Sequence, residues 1–77
     1  MMHRSGNYLG YRYDAKIYDE PSRLGIDNGR ILKLAVYEYR NCDHREVVVN
    51  YDRGWDIWPK DAGHCSAYRE IKRRLLE

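Results

Sequence analysis

The sequence predicts an α+β fold: a three-stranded antiparallel β-sheet meander, with room for a short fourth strand, and one C-terminal helix packed on one face. Three observations carry that prediction. Polarity alternates with a period of two over residues 8–18, 30–40 and 45–52, as half-buried strands require. Clusters of turn formers separate those stretches. The chain then closes on one stripe of helical spacing, His64, Tyr68, Ile71 and Leu75, with Ala67 beside it.

Taken in order, residues 1–7 read as a loose terminus and 8–77 as a single βββα domain. In the first strand Tyr11, Tyr13, Ala15 and Ile17 point one way and Arg12, Asp14, Lys16 and Tyr18 the other. Pro21, which lacks an N–H and fixes its own φ, marks 19–25 as a connection. Asn28-Gly29 predicts a tight turn between Ile26 and Arg30, with the short extra strand just before it, because both turn residues accept positive φ. The second strand sets Leu32, Leu34 and Val36 against Ile31, Lys33, Ala35, Tyr37 and Tyr39. Asn41-Cys42-Asp43-His44 reads as a hairpin loop, and the third strand opposes Val47, Val49 and Tyr51 to Val48 and Asn50. A loop over 53–59 ends at Pro59, and either Asp61 or Ser66 serves as helix N-cap.

One helix shelters one sheet face, and the aliphatic Leu32, Leu34, Val36, Val47 and Val49 are the expected covered side. The other side then carries Ile31, Ala35, Tyr37, Tyr39 and Val48, with Tyr18 and Lys33 among them. A solvated sheet face is mostly polar, so a bare apolar one predicts a contact surface. Its expected occupants are a second copy of the chain, giving a homodimer, or a different partner, protein or stacked bases; the remaining reading has no occupant and leaves scattered tyrosines on a wet sheet. The aromatic set of eight Tyr, two Trp and no Phe fits such a surface, since each ring has a polar handle.

The run Tyr51-Asp52-Arg53-Gly54-Trp55-Asp56 places two carboxylates, a guanidinium and an indole on one loop, a set suited to a polar ligand. The architectural alternative makes Trp55 or Trp58 a plug for the open end of the core while Asp52 and Arg53 pair. Together with Gly25-Ile26-Asp27-Asn28-Gly29-Arg30-Ile31-Leu32-Lys33-Leu34 and the preceding Asn50, this run resembles a family of small uncharacterised proteins of Gram-positive bacteria, their phages and mobile elements. The similarity spans roughly residues 11–76. It brings no catalytic residues. It implies a context in which compact proteins inhibit host defence.

Other chemistries find less support. Fourteen basic residues against twelve acidic ones leave a net charge of +2, far from the excess of a protein that grips phosphate backbones. Arg69, Lys72, Arg73 and Arg74 form a basic helix stripe, which cation–dipole attraction at a helix C-terminus also explains. The first residues lack the apolar core of a secretory leader, and no stretch is apolar enough to span a membrane, so a cytoplasmic chain with free thiols at Cys42 and Cys65 is expected. Cys42, His44, His64 and Cys65 are zinc-type ligands, but the expected fold puts the pairs at opposite ends of a strand. Asp14, Asp52, Asp56 and Asp61 are read as loop and cap residues rather than a metal cluster. Neither a phosphate-binding glycine loop nor a nucleophile elbow is present.

The expectation is therefore a non-enzymatic interaction protein without cofactor, inhibiting a bacterial defence protein by surface binding. The binding residues expected are Tyr18, Lys33, Tyr37, Tyr39, Asp52, Arg53, Trp55 and Asp56. The alternatives are a nucleotide or small-molecule binder using the 51–58 loop, and a module for RNA or single-stranded nucleic acid.

Overall fold

The computed structural model, which describes residues 2–41 and 44–76, contains one antiparallel sheet whose strand order follows the chain. The strands are β1 (Met2–Tyr8), β2 (Tyr11–Ile17), β3 (Ile31–Asn41), β4 (His44–Asp52) and β5 (Trp55–Ile57), and α1 (Ala62–Leu75) follows. The α+β class holds, with five strands instead of the expected three or four. Cys42 and Asp43, at the centre of the expected hairpin loop, lie outside the described residues.

Residues 2–8 form a strand, not a loose segment. Leu9 (φ 46°) and Gly10 (φ 84°) make a two-residue turn with both centres at positive φ, the geometry whose twist matches paired strands. Tyr8 and Tyr11 flank it as partners. Gly6 is needed opposite Tyr13, whose ring lies over it. A Cβ there would stand 2.6 Å from the tyrosine hydroxyl.

No strand precedes the Asn-Gly pair. The 18–30 connection folds back on itself: Ser22 donates to Gly29 O and Gly29 to Ile26 O, both at 2.9 Å. The tight turn comes one residue early, with Asp27 (φ 54°) and Asn28 (φ 56°) in the left-handed region. The loop is closely packed: a Cβ on Gly25 would meet Gly29 O at 2.2 Å, so this position needs glycine. Ile26 drops into the core and the Tyr51 hydroxyl donates to Leu24 O at 2.7 Å, which ties the connection to β4.

Two irregularities in register correct the expected faces. Lys16 pairs with Lys33 but Ile17 with Ile31, so Leu32 is the extra residue of a bulge. Val36 pairs with Val49 but Tyr37 with Val47, so Val48 is extra in turn. Each bulge resets the alternation. Ile31 and Val48, expected on the bare side, belong to the core, whereas Val47 is 37% exposed and Leu32 lies outside the core cluster. The core therefore runs through Ala15, Ile17, Ile31, Leu34, Val36 and Val49.

Asp61 is the N-cap of α1 and accepts from His64 N at 2.8 Å, satisfying an amide the helix cannot. Ala67, Ile71 and Leu75, spaced by four, are its buried residues, and Tyr68 and His64 sit at their flank. β5 lies where a loop was expected and carries the chain back along β4. It brings the start of α1 beside Glu38.

Candidate functional site

The face of the sheet away from α1 is built from cross-strand rows, because directly paired residues share a face. One row is His3, Lys16, Lys33 and Asp52; the next is Ser5, Asp14, Ala35 and Asn50; the third is Asn7, Arg12, Tyr37 and Val47. Tyr39 and Arg45 pair beyond them. With Ile31 and Val48 withdrawn into the core, this open face is polar and charged over most of its extent. The expected continuous apolar surface, and with it the sequence argument for a homodimer, contracts to Ala35, Tyr37, Tyr39 and Val47.

Of the expected binding residues, four gather at one end. Tyr18, Lys33, Asp52 and Arg53, with Lys16 and Leu32, line a depression of about 240 Å³. Asp52 stands 3.8 Å from Lys33 and 3.5 Å from Arg53. Arg53 itself has φ 59°, and its amide donates to Leu32 O at 3.1 Å. Tyr37 belongs to the adjoining depression of about 350 Å³, whose other lining residues are His3, Asp14, Ala15, Lys16, Lys33 and Ala35. Tyr39 stands apart from both, 46% exposed.

Trp55 and Asp56 do not join them. Trp55 stacks on Trp58 with centroids 4.4 Å apart and meets Tyr51 and Tyr68 edge-on at 5.1 and 5.6 Å. It packs against the core from the helix side, which is the plug role. Asp56 accepts from Asn50 Nδ2 at 3.1 Å. The 51–58 segment thus divides its functional groups between two sides of the sheet and forms no single ligand loop.

Sequence reasoning missed a second cluster at the start of α1. His64 lies 3.4 Å from Glu38 and 3.3 Å from Asp61, with the Tyr11 ring edge-on at 6.1 Å. Burial and then the hydrogen bond to Glu38 push the Tyr11 hydroxyl above its ordinary range. The only sequence signal was His64 on the helix stripe. Because β5 reverses the chain, His64 and Cys65 are not at the far end of β4 from the hairpin, so the distance argument against zinc does not stand. Two of the four ligands have other partners, His64 with Glu38 and Asp61 and Cys65, whose Sγ donates to Pro59 O at 3.5 Å, and Cys42 is outside the described residues. Among the described residues no group of three or more His, Cys, Asp and Glu could hold a metal ion.

The basic stripe of α1 is mostly engaged within the chain. Glu70 accepts from Arg73 at 2.6 Å and from Arg74 at 3.1 Å, Arg74 covers the Tyr8 ring at 4.7 Å, and Lys72 pairs with Asp27. Lys16, Arg12 and His3 on the open face, by contrast, have no ion-pair partner among the described residues. Alternation in the first strand already turned Arg12 and Lys16 outward, but the position of Lys16 beside Lys33 follows only from strand pairing.

Among the described residues, no helix is long and apolar enough to cross a membrane. No curated protein and no solved structure matches the sequence. A family model does match, over residues 2–75, and agrees with the uncharacterised character of the family it resembles. The chain belongs to the family described as Domain of unknown function (DUF7678).

Proposed function

We propose that the chain is a non-catalytic interaction module that binds a protein partner through the Tyr37–Tyr39 end of its open sheet face. One observation carries the reading. Tyr39 and Val47 are 46% and 37% exposed, and the Arg45 guanidinium lies 4.8 Å above the Tyr37 ring. Tyrosine and arginine are the side chains that most often dominate binding energy, and Arg12, Asp14 and Asn50 nearby supply a polar rim. Paired strands hold all four residues, so little ordering cost remains on binding.

The resemblance to proteins of Gram-positive phages and mobile elements gives the reading its biological form. In it, a small cytoplasmic protein inhibits a bacterial defence protein by occupying its surface. The competing occupant is a second copy of the chain.

Affinity capture from a Gram-positive host, followed by titration against the captured protein, tests the proposal. Tyr39→Ala should weaken binding by about 2 kcal/mol, roughly thirtyfold, while leaving the unfolding midpoint in place. Unchanged affinity in that variant would remove the aromatic end from the interface. A dimeric mass in solution that Tyr39→Ala converts to a monomer would assign the patch to self-association instead.

A further inference from the structure

The lysine end of the open face has a feature that folding alone does not require. Lys16 and Lys33 are direct cross-strand partners on one face, and His3 stands beyond Lys16 in the same row. Like charges placed directly opposite destabilise a sheet. The row holds one carboxylate, Asp52, and that group is shared between Lys33 and Arg53. Lys16 has none.

The shape around the pair is equally particular. The larger depression, about 350 Å³, is lined by the lysine pair and the Tyr37 ring, with His3, Asp14, Ala15 and Ala35. The smaller one, about 240 Å³, lies on the far side with Tyr18 and Arg53. Both are lined by Lys16 and Lys33. Along the surface a tyrosine, the lysine pair and a second tyrosine thus follow one another, with Asp14 on one side of the pair and Asp52, held by Lys33 and Arg53, on the other. Bases stack on aromatic side chains while their phosphates meet lysine and arginine, and every base offers a π-face. Both depressions are open, which suits a strand passing over them better than a free nucleotide that needs enclosure.

We infer that the Lys16–Lys33 ridge binds a phosphodiester of single-stranded nucleic acid, with one neighbouring base against Tyr37 and the other against Tyr18. This inference shares Tyr37 with the protein-partner reading, which rests besides on Tyr39, Val47 and Arg45 and does not involve the lysine pair.

Fluorescence anisotropy with a labelled oligothymidine of about ten nucleotides tests it on the full chain. Binding should fall steeply between about 50 and 200 mM salt. Lys16→Gln should lose about tenfold in affinity and reduce the salt slope by about one, as expected for one phosphate contact. Its urea midpoint should hold or rise, since a like-charge pair is removed. Tyr37→Ala should weaken binding without changing the slope, whereas Tyr39→Ala should not weaken it. Absence of binding at low salt, equal binding by Lys16→Gln, preference for duplex, or full competition by free thymidine monophosphate at matched concentration would each overturn the inference.

Discussion

Tyr68 shows how one side chain on α1 reports its surroundings. Burial, then the negative charge of Asp27 and the neighbouring Tyr51, push its hydroxyl from the ordinary 10.0 up to about 12. The ring stands against Trp55 while Lys72, one turn on, pairs with Asp27 of the connecting loop. A raised pKa means that the folded chain holds this proton more tightly than the unfolded one. The corresponding stability is fully present below pH 10.0 and is lost as pH rises through about 12. Tyr11 is shifted in the same direction and adds to the trend. Denaturant midpoints measured across that window should fall, and Tyr68→Phe should flatten the part of the fall that Tyr68 causes. An unchanged profile in Tyr68→Phe would show that Tyr68 titrates as in the unfolded chain.

The loop between β2 and β3 behaves as a packed piece of the core rather than as a free connection. Gly25 sits where any side chain would collide with Gly29 O, and Ile26 and the Tyr51–Leu24 hydrogen bond lock the fold of the loop. Gly25→Ala should therefore destabilise by about 1–3 kcal/mol, the range for a backbone forced from its preferred geometry. Gly54 has nothing within 4 Å of the position a Cβ would take, so Gly54→Ala should stay within about 0.5 kcal/mol of the parent. Urea unfolding of the two variants side by side checks the contrast, and equal losses would refute it. The same contrast bears on what the sequence discloses. β2, β3, β4 and α1 were legible because apolar residues mark one side of each. β1 was not, since Met2, Arg4, Gly6 and Tyr8 occupy the helix-facing rows and only the first and last are apolar. β5 was hidden because three residues between Gly54 and Pro59 are too short to show a period. The faces of β3 and β4 were misassigned at Ile31, Leu32, Val47 and Val48, where a bulge adds a residue that no polarity pattern reveals. Tyr18 and Lys33 were expected on the open face and Asp52 and Arg53 on the 51–58 loop, and the structure brings the four to one depression; Trp55 and Asp56, expected with Asp52 and Arg53, do not line it. Lys16 was the missing member, visible as outward-facing but without a partner until β2 and β3 were paired.

Across the molecule, α1 is held to the sheet through a narrow seam of Ala67, Ile71 and Leu75, with the Tyr68–Trp55 ring contact beside it and the His64–Glu38 contact at its N-terminal end. Ile71 is fully buried and among the largest core side chains. Ile71→Ala should cost about 2–5 kcal/mol, and a domain of this size has about 3–5 kcal/mol to lose. The expected outcome is a chain substantially unfolded at room temperature, seen as lost amide dispersion in a proton–nitrogen correlation spectrum. A well-dispersed spectrum with a midpoint near that of the parent would mean that the sheet stands without its helix. That dependence also separates the labour of the two faces. One is committed to holding the fold, and the other is left to charge, tyrosine and whatever they meet.

The borders of the sheet are unequal. β5 offers three residues and is cut off by Pro59, whereas β1 runs for seven with its outer backbone groups open to pairing. Such a rim is where fibrils begin when it is greasy. Here the outermost strand reads His3, Arg4, Ser5, Gly6 and Asn7 through its middle, a stretch with nothing for a dry zipper to grip. The poverty of pattern that conceals β1 from a reader of the sequence is the same property that discourages it from templating a neighbour.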